Sequence, residues 1–237
     1  HSTLTLPLMR KLIMSFADKK LSEIAISVPG STSLLREYDL DFCCGGSDTL
    51  AHAAAEKGLN VAEIETRLTE LQNSKAENPE EYWVNATYPE IIDHILVRYH
   101  QRHREQLQEL IVLADRVESV HGDREDCPMG VAAELRNVYE DLSNHMMKEE
   151  HVLFPMIKAG NYMMAQMPIR MMEMEHAEHG EHLDVLKSLT NNMTPPADAC
   201  NTWRALYSGI QEFADDLMMH IHRENNILFP RVIAENH

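Results

Sequence analysis

Histidine and glutamate recur in this chain at a spacing suited to holding metal. Residues 145–155 read HMMKEEHVLFP and residues 220–230 read HIHRENNILFP, so both fit H-x-x-x-E-x-x-x-L-F-P at an offset of 75 residues. A His and a Glu four apart lie on one helical face a turn from each other, and both reach the same point inside a bundle. A lone pair of this kind is usually a solvated charged face, but its duplication with the same apolar flanks turns the reading to metal ligation. A second shared element lies upstream of each copy. Residues 100–107 (HQRHREQL) and 176–183 (HAEHGEHL) both read H-x-x-H-x-E-x-L, which makes the repeat unit two helices.

Each half therefore supplies one His from its first helix and a His plus a Glu from its second: His100, His145 and Glu149, then His176, His220 and Glu224. Six donors related by a pseudo-twofold suit two metals, each taking two imidazoles, with the carboxylates placed to bridge. Ferritin-type bundles use Glu-x-x-His, a different pattern. His103 and His179 also match between the halves, one turn on; the first of each pair is preferred, and periodicity leaves the second open. Asp141 and Asp216, one turn before His145 and His220, are read either as acceptors behind the ligands or as solvated faces. His94, His151, His182 and His222 have no counterpart and read as surface or packing residues. The paired methionines at 146–147, 163–164, 171–172 and 218–219 read as core filling. Mixed imidazole and carboxylate suits iron, manganese or zinc; iron is chosen, with the other two left open.

The elements that must carry these donors are long helices. Thr87-x-x-Glu90 is a capping box, and apolar residues from Ile91 to Leu113 follow at helical spacing to about Val120, with Gly122 ending the helix, a span of roughly 50 Å. A second helix is expected from near Pro128 to the 158–160 region, with Pro155 bending or ending it. The third is expected from Met167 or Pro168 to Leu189, and the fourth from Thr194-Pro195-Pro196 to Pro230. Short connections make neighbours antiparallel, so the expected fold is all-α, an up-down-up-down four-helix bundle over residues 87–237.

Ahead of it, residues 1–20 read as an N-terminal extension, 21–71 as a small helical domain and the polar stretch 72–86 as a linker. In the small domain Ser22 and Asn60 are expected caps, and helices are expected over 31–38, 48–57 and 61–71. Between two of them lies DFCCGG, residues 41–46. Adjacent Cys43 and Cys44 allow only a strained disulfide and make poor use of two ligands on one metal. The following helix start would lower a thiol pKa and give a redox or NO-reactive pair; two small buried hydrophobes before a turn is the alternative. Cys127 and Cys200 read as structural.

The chain has 237 residues, 44% hydrophobic and 25% charged, as an ordinary globular protein does. Its formal charge of -17 argues against nucleic acid and anionic membranes as partners. No apolar run approaches the ~20 residues of a membrane span. Residues 4–16 are interrupted by Arg10 and Lys11 and lack a small-residue cleavage site, so a signal peptide is not expected and a cytoplasmic location is.

Taken together, DFCCGG at 41–46, IIDHILVRYHQRHREQL at 91–107, HMMKEEHVLFPMI at 145–157, MEMEHAEHGEHL at 172–183, NNMTPP at 191–196 and HIHRENNILFPR at 220–231 resemble one family. It is the hemerythrin-like iron-sulfur cluster repair di-iron proteins, and the resemblance runs from about Leu21 onward. It implies two non-haem irons per chain in a hemerythrin-like bundle, held by His100, His145, Glu149, His176, His220 and Glu224. Glu149 and Glu224 would bridge the irons beside an oxo or hydroxo group. It further implies a cytoplasmic stress protein, working as a homodimer, that repairs iron-sulfur proteins damaged by nitric oxide or peroxide. Oxygen-carrying hemerythrins offer H-x-x-x-H on the third helix, whereas Gly180 stands four after His176 here and brings no donor. Three mechanisms follow. In one, iron is donated to a damaged cluster while Cys43 and Cys44 handle sulfur, nitric oxide or the client. In another, nitric oxide or nitrite is reduced at the iron pair, and in the third the chain senses oxygen or nitric oxide.

Overall fold

The computed structural model describes residues 15–237. Most of the stretch 4–16 and of the N-terminal extension therefore lies outside the described residues. The chain divides into two compact units, one ending at Asn85 and one running Ala86–His237.

The first unit is a cluster of short helices: α1 (Leu21–Ser27), α2 (Ser31–Glu37), α3 (Leu50–Glu56), α4 (Val61–Asn73) and α5 (Pro79–Asn85). Its core is aliphatic with one aromatic: Leu21, Ile24, Leu35, Leu40, Phe42, Leu50, Ile64 and Leu68 are fully buried. Asn60 caps α4 by accepting from the backbone N–H groups of Ala62 and Glu63, as expected. Two expectations are corrected. Lys20, not Ser22, precedes α1, because the Ser22 N–H donates to Gly46 O (3.0 Å) and ties the helix start to the DFCCGG loop. The stretch 72–86 is not all connection: it forms α5, which packs on α1 while Asn78 Nδ2 donates to Ile26 O (2.7 Å).

The second unit is the four-helix bundle. α6 comprises Tyr88–His94, a π turn Ile95–His100 and Gln101–His121; α7 comprises Val131–Lys148, a π turn Glu149–Leu153 and Phe154–Lys158. α8 is Tyr162–Leu189, and α9 comprises Asn201–His222, a π turn Arg223–Leu228 and Phe229–Ala234. Each helix packs on the next and α9 returns to α6, closing the bundle. Thr87 caps α6 by accepting from the Glu90 N–H. The apolar stripe of α9, with Trp203, Leu206, Ile210, Phe213 and Leu217 all buried, supplies much of the core. Gly209 lets α9 approach α6 closely, since a Cβ there would sit 2.6 Å from Leu110 Cδ2.

Three departures from the sequence reading have physical reasons. α9 begins at Asn201 rather than Thr194, because Asn191, Asn192 and Met193 all adopt left-handed φ (49°, 55° and 54°) and turn the chain away after α8. The Arg204 guanidinium holds that loop by donating to the carbonyls of Pro196, Ala197 and Ala199. α8 starts at Tyr162 and carries Pro168 inside it, with Ala165 and Ile169 fully buried on either side. α9 runs past Pro230 to Ala234, and α7 runs through Pro155 to Lys158 as expected. Each proline follows a π turn, whose wider ring accommodates the missing N–H, and helix resumes through it. The methionines also divide: Met146 and Met172 are core, whereas Met163 and Met164 are exposed.

Candidate metal centre

The bundle brings all six expected donors into its interior. His100, His145, Glu149, His176, His220 and Glu224 are each completely buried. They form two groups, His100 with His220 and His145 with His176, and both groups include Glu149 and Glu224. Within each group the ligating atoms lie within 4.8 Å of one another. The π turns lie at three of these positions, ending at His100 and beginning at or beside Glu149 and Glu224. A π turn inserts a residue and rotates the helix face, and such turns concentrate at functional sites.

Behind the donors sits a set of acceptors that fixes the imidazoles. His100 Nδ1 lies 2.7 Å from Glu150 Oε2, His145 Nδ1 3.1 Å from Glu175 Oε1 and His176 Nδ1 2.7 Å from Asn225 Oδ1. His220 Nδ1 lies 3.1 Å from His103 Nε2. The carboxylate and amide oxygens behind His100, His145 and His176 accept from Nδ1, and all four rings turn Nε2 toward the interior. Each group thus has one imidazole backed by a carboxylate and one backed by a neutral side chain. Arg104 donates to Glu150 and Lys148 to Glu175, so both outer carboxylates are themselves paired. Aromatic rings close the site: Phe154 stacks on His100 at 5.8 Å, Phe229 on His176 at 6.0 Å and Tyr99 on His220 at 5.6 Å between centroids.

Orphaned atoms show that the donors fit a cation. Glu149 Oε2 has no hydrogen-bond partner among the described residues, and Glu224 Oε1, 2.9 Å from His176 Nε2, makes no well-angled bond. His145 Nε2 and His176 Nε2 face each other at 3.1 Å, an arrangement that only a proton or a metal between or beside them relieves. Protonation of the rings is one such relief. Burial opposes charge on His100, but its hydrogen bonds to Glu149 and Glu150 raise its pKa to about 9. Burial likewise opposes charge on His145, and Glu149 and Glu175 raise it to about 10. His220 goes the other way, its pKa pushed well below the usual value by burial and by His100. Two imidazoles and two carboxylates around each position, with no thiolate, are the donor set of iron, manganese or zinc.

His103 and His179, left open by periodicity, fall in neither group. His103 bonds His220 from behind, and His179 stands edge-on to His145 at 4.7 Å; burial keeps both neutral, His179 at about pKa 2. Asp141 and Asp216 do not back the ligands. Asp141 Oδ2 pairs with His182 Nε2 (2.8 Å), and Asp216 accepts from Arg98 Nη2 (2.9 Å) and Gln106 Nε2 (3.0 Å). The acceptors that do the work, Glu150, Glu175 and Asn225, escaped the sequence reading. Two of them carried a signal: Glu150 and Asn225 each follow the repeated Glu, but differ in type.

Cys43 and Cys44 lie in the other unit, and both are thiols. The expectation of a lowered thiol pKa is corrected. α3 begins only at Leu50, and its Thr49 cap already takes the His52 N–H. A hydrogen bond with Cys44, burial and the nearby Asp41 carboxylate together hold the Cys43 thiol well above its ordinary pKa. Cys200 is exposed at the start of α9, with His121 Nε2 3.3 Å from its sulfur.

Comparison with known proteins agrees with this architecture. Residues 91–232 match the family described as the hemerythrin HHE cation binding domain, and residues 17–72 match a domain of unknown function (DUF542). The chain is 67% identical over 222 residues to a probable iron-sulfur cluster repair protein of Haemophilus influenzae, covering 94% of this chain and 100% of that one. It is 55% identical over 221 residues to the iron-sulfur cluster repair protein YtfE of Musicola paradisiaca, covering 93% and 98%. The YtfE of Citrobacter koseri is 55% identical over 222 residues, covering 93% and 99%. No helix among the described residues is long and apolar enough to cross a membrane. With a hemerythrin-type domain over most of its length and relatives of this identity over nearly all of it, the chain belongs to the hemerythrin-like iron-sulfur cluster repair proteins.

Proposed function

We propose that this chain repairs damaged iron-sulfur proteins by supplying iron from a centre of two non-haem irons. His100 and His220 would hold one iron and His145 and His176 the other, with Glu149 and Glu224 shared between them beside the oxo or hydroxo bridge that goes with this reading. The observation that carries it is the pair of buried groups with both carboxylates in common. When bound, such a pair supplies ferrous iron to a client and a redox-active place at which nitric oxide can bind.

The chain's own residues hold, orient and shield. Glu150, Glu175, Asn225 and His103 fix the four imidazoles so that every Nε2 points inward. Phe154, Phe229 and Tyr99 exclude water from the faces of three of those rings, which strengthens the electrostatic hold on a cation. A damaged iron-sulfur protein is the partner in this reading, with a cytoplasmic setting and pairing of two copies as parts of it.

The test is transfer. The full chain loaded with isotopically labelled iron is mixed with an iron-sulfur protein whose cluster nitric oxide has broken. Label leaving the chain as the client regains its cluster is the expected result. Iron that stays bound while nitric oxide is consumed over many turnovers with an electron donor would overturn donation and make the chain a reductase.

A further inference from the structure

The DFCCGG loop is built around its thiols. Asp39 adopts a left-handed φ of 55°, and the loop that follows is fixed by the Leu40 N–H donating to Leu35 O (2.9 Å), Ser22 N–H to Gly46 O and Leu21 N–H to Asp48 O (2.9 Å). Leu40 and Phe42 are fully buried and anchor it from within. The bend folds Asp41 back over the cysteines: its Oδ1 accepts from Cys43 Sγ (3.3 Å) and from the Cys44 N–H (2.9 Å). As a result the two sulfurs and an Asp41 carboxylate oxygen all lie within 4.8 Å of one another. Adjacent cysteines on a straight backbone point apart, so the sequence argued against one shared metal; this loop makes them converge.

Gly45 is a condition of that arrangement. A Cβ at this position would lie 3.0 Å from Asp41 O, 3.3 Å from Asp41 Oδ2 and 3.5 Å from its Cγ. A side chain there would crowd both the Asp41 carbonyl and its carboxylate, which would have to give by a few tenths of an ångström. The glycine is therefore a cradle for Asp41, apart from any need for unusual backbone angles.

We propose that Asp41, Cys43 and Cys44 form a second metal site, outside the bundle, for one thiophilic divalent cation such as ferrous iron or zinc. Two thiolates and one carboxylate oxygen occupy three positions and leave the fourth open, the pattern of sites that exchange or present a metal rather than lock it in place. Binding releases both thiol protons to solvent. Because both sulfurs bind as thiolates, affinity falls as pH falls. Cys44 is half-buried and Asp41 exposed, so the site can be reached from water. The site does not depend on what the bundle centre carries.

Cobalt(II) added to the full chain under reducing conditions tests this, because only thiolate ligands give an intense near-ultraviolet charge-transfer band and the bundle donors contain no sulfur. The expected result is a band that saturates at one equivalent, is lost in the Cys43→Ser/Cys44→Ser double variant, and is bleached by zinc or ferrous iron. Gly45→Ala and Asp41→Asn should weaken binding by about tenfold or more while far-ultraviolet circular dichroism stays unchanged. Absence of the band at saturating cobalt, or a band that survives in the double variant and so belongs to Cys127 or Cys200, would overturn the proposal. So would a Cys44→Ser chain that folds normally and binds with undiminished affinity.

Discussion

Glu149 and Glu224 each belong to both donor groups, whereas each imidazole belongs to one. Their loss should therefore cost more than the loss of any histidine. Glu149→Ala is expected to bring iron from two per chain to near zero, and His100→Ala to leave about one, read by metal analysis after reconstitution; equal losses from both variants would argue against shared carboxylates. Glu150→Ala removes only the acceptor behind His100 and should weaken metal binding by about 10–100-fold without abolishing it. Phe154 is buried against His100, and Phe154→Ala should lower unfolding free energy by about 3–5 kcal/mol in a urea titration. At this scale the sequence was legible wherever the two halves repeat the same residue. His100, His145, Glu149 and their counterparts match in type, and the bundle brings these same residues together. Glu150 and Asn225 match only in position, and Glu175 acts on His145 from another helix, so no identity search could show them.

Between helices the bundle is also held by a charged clamp. His182 on α8 sits between Glu134 and Asp141 on α7, at 2.6 Å and 2.8 Å. Burial opposes its charge, but the hydrogen bonds to these two carboxylates outweigh it and raise its pKa. A histidine whose folded pKa lies above its unfolded one stabilises the fold fully below the unfolded value, and that contribution fades as pH rises through the raised folded value. His182→Gln should therefore unfold at lower urea than the parent in mildly acidic solution, with the gap closing as pH rises above the ordinary imidazole range. A gap that stays constant with pH would mean that the clamp carries no titrating charge. The elements themselves were legible from caps and periodicity, as Thr87 and Asn60 show. The π turns were not. Nothing in the pattern of Glu149–Leu153 distinguishes one inserted residue from regular helix, and Pro155 leaves a bend and an end both open where the wider turn permits continuation. The start of α9 was misplaced for a related reason: Pro195-Pro196 resembles a first turn, but three left-handed residues before it had already directed the chain elsewhere.

Across the whole molecule, an all-α chain of net charge -17 gathers side chains that could hold a cation in two of its places, a buried cluster of imidazole and carboxylate and a thiol-bearing loop in the first unit. The division into a small helical unit and a bundle followed from composition and motif order. The boundary was less clear, because the polar residues preceding Ala86 fold as α5 through packing on α1 that no local pattern records. In the proposed reading the bundle carries a pair of irons on shared carboxylates. Iron content and Mössbauer spectroscopy on the full chain purified from iron-grown cells test it most directly. Two irons per chain, magnetically coupled to each other, are predicted; zinc in the bundle, a single iron, or two irons with no coupling between them would contradict it.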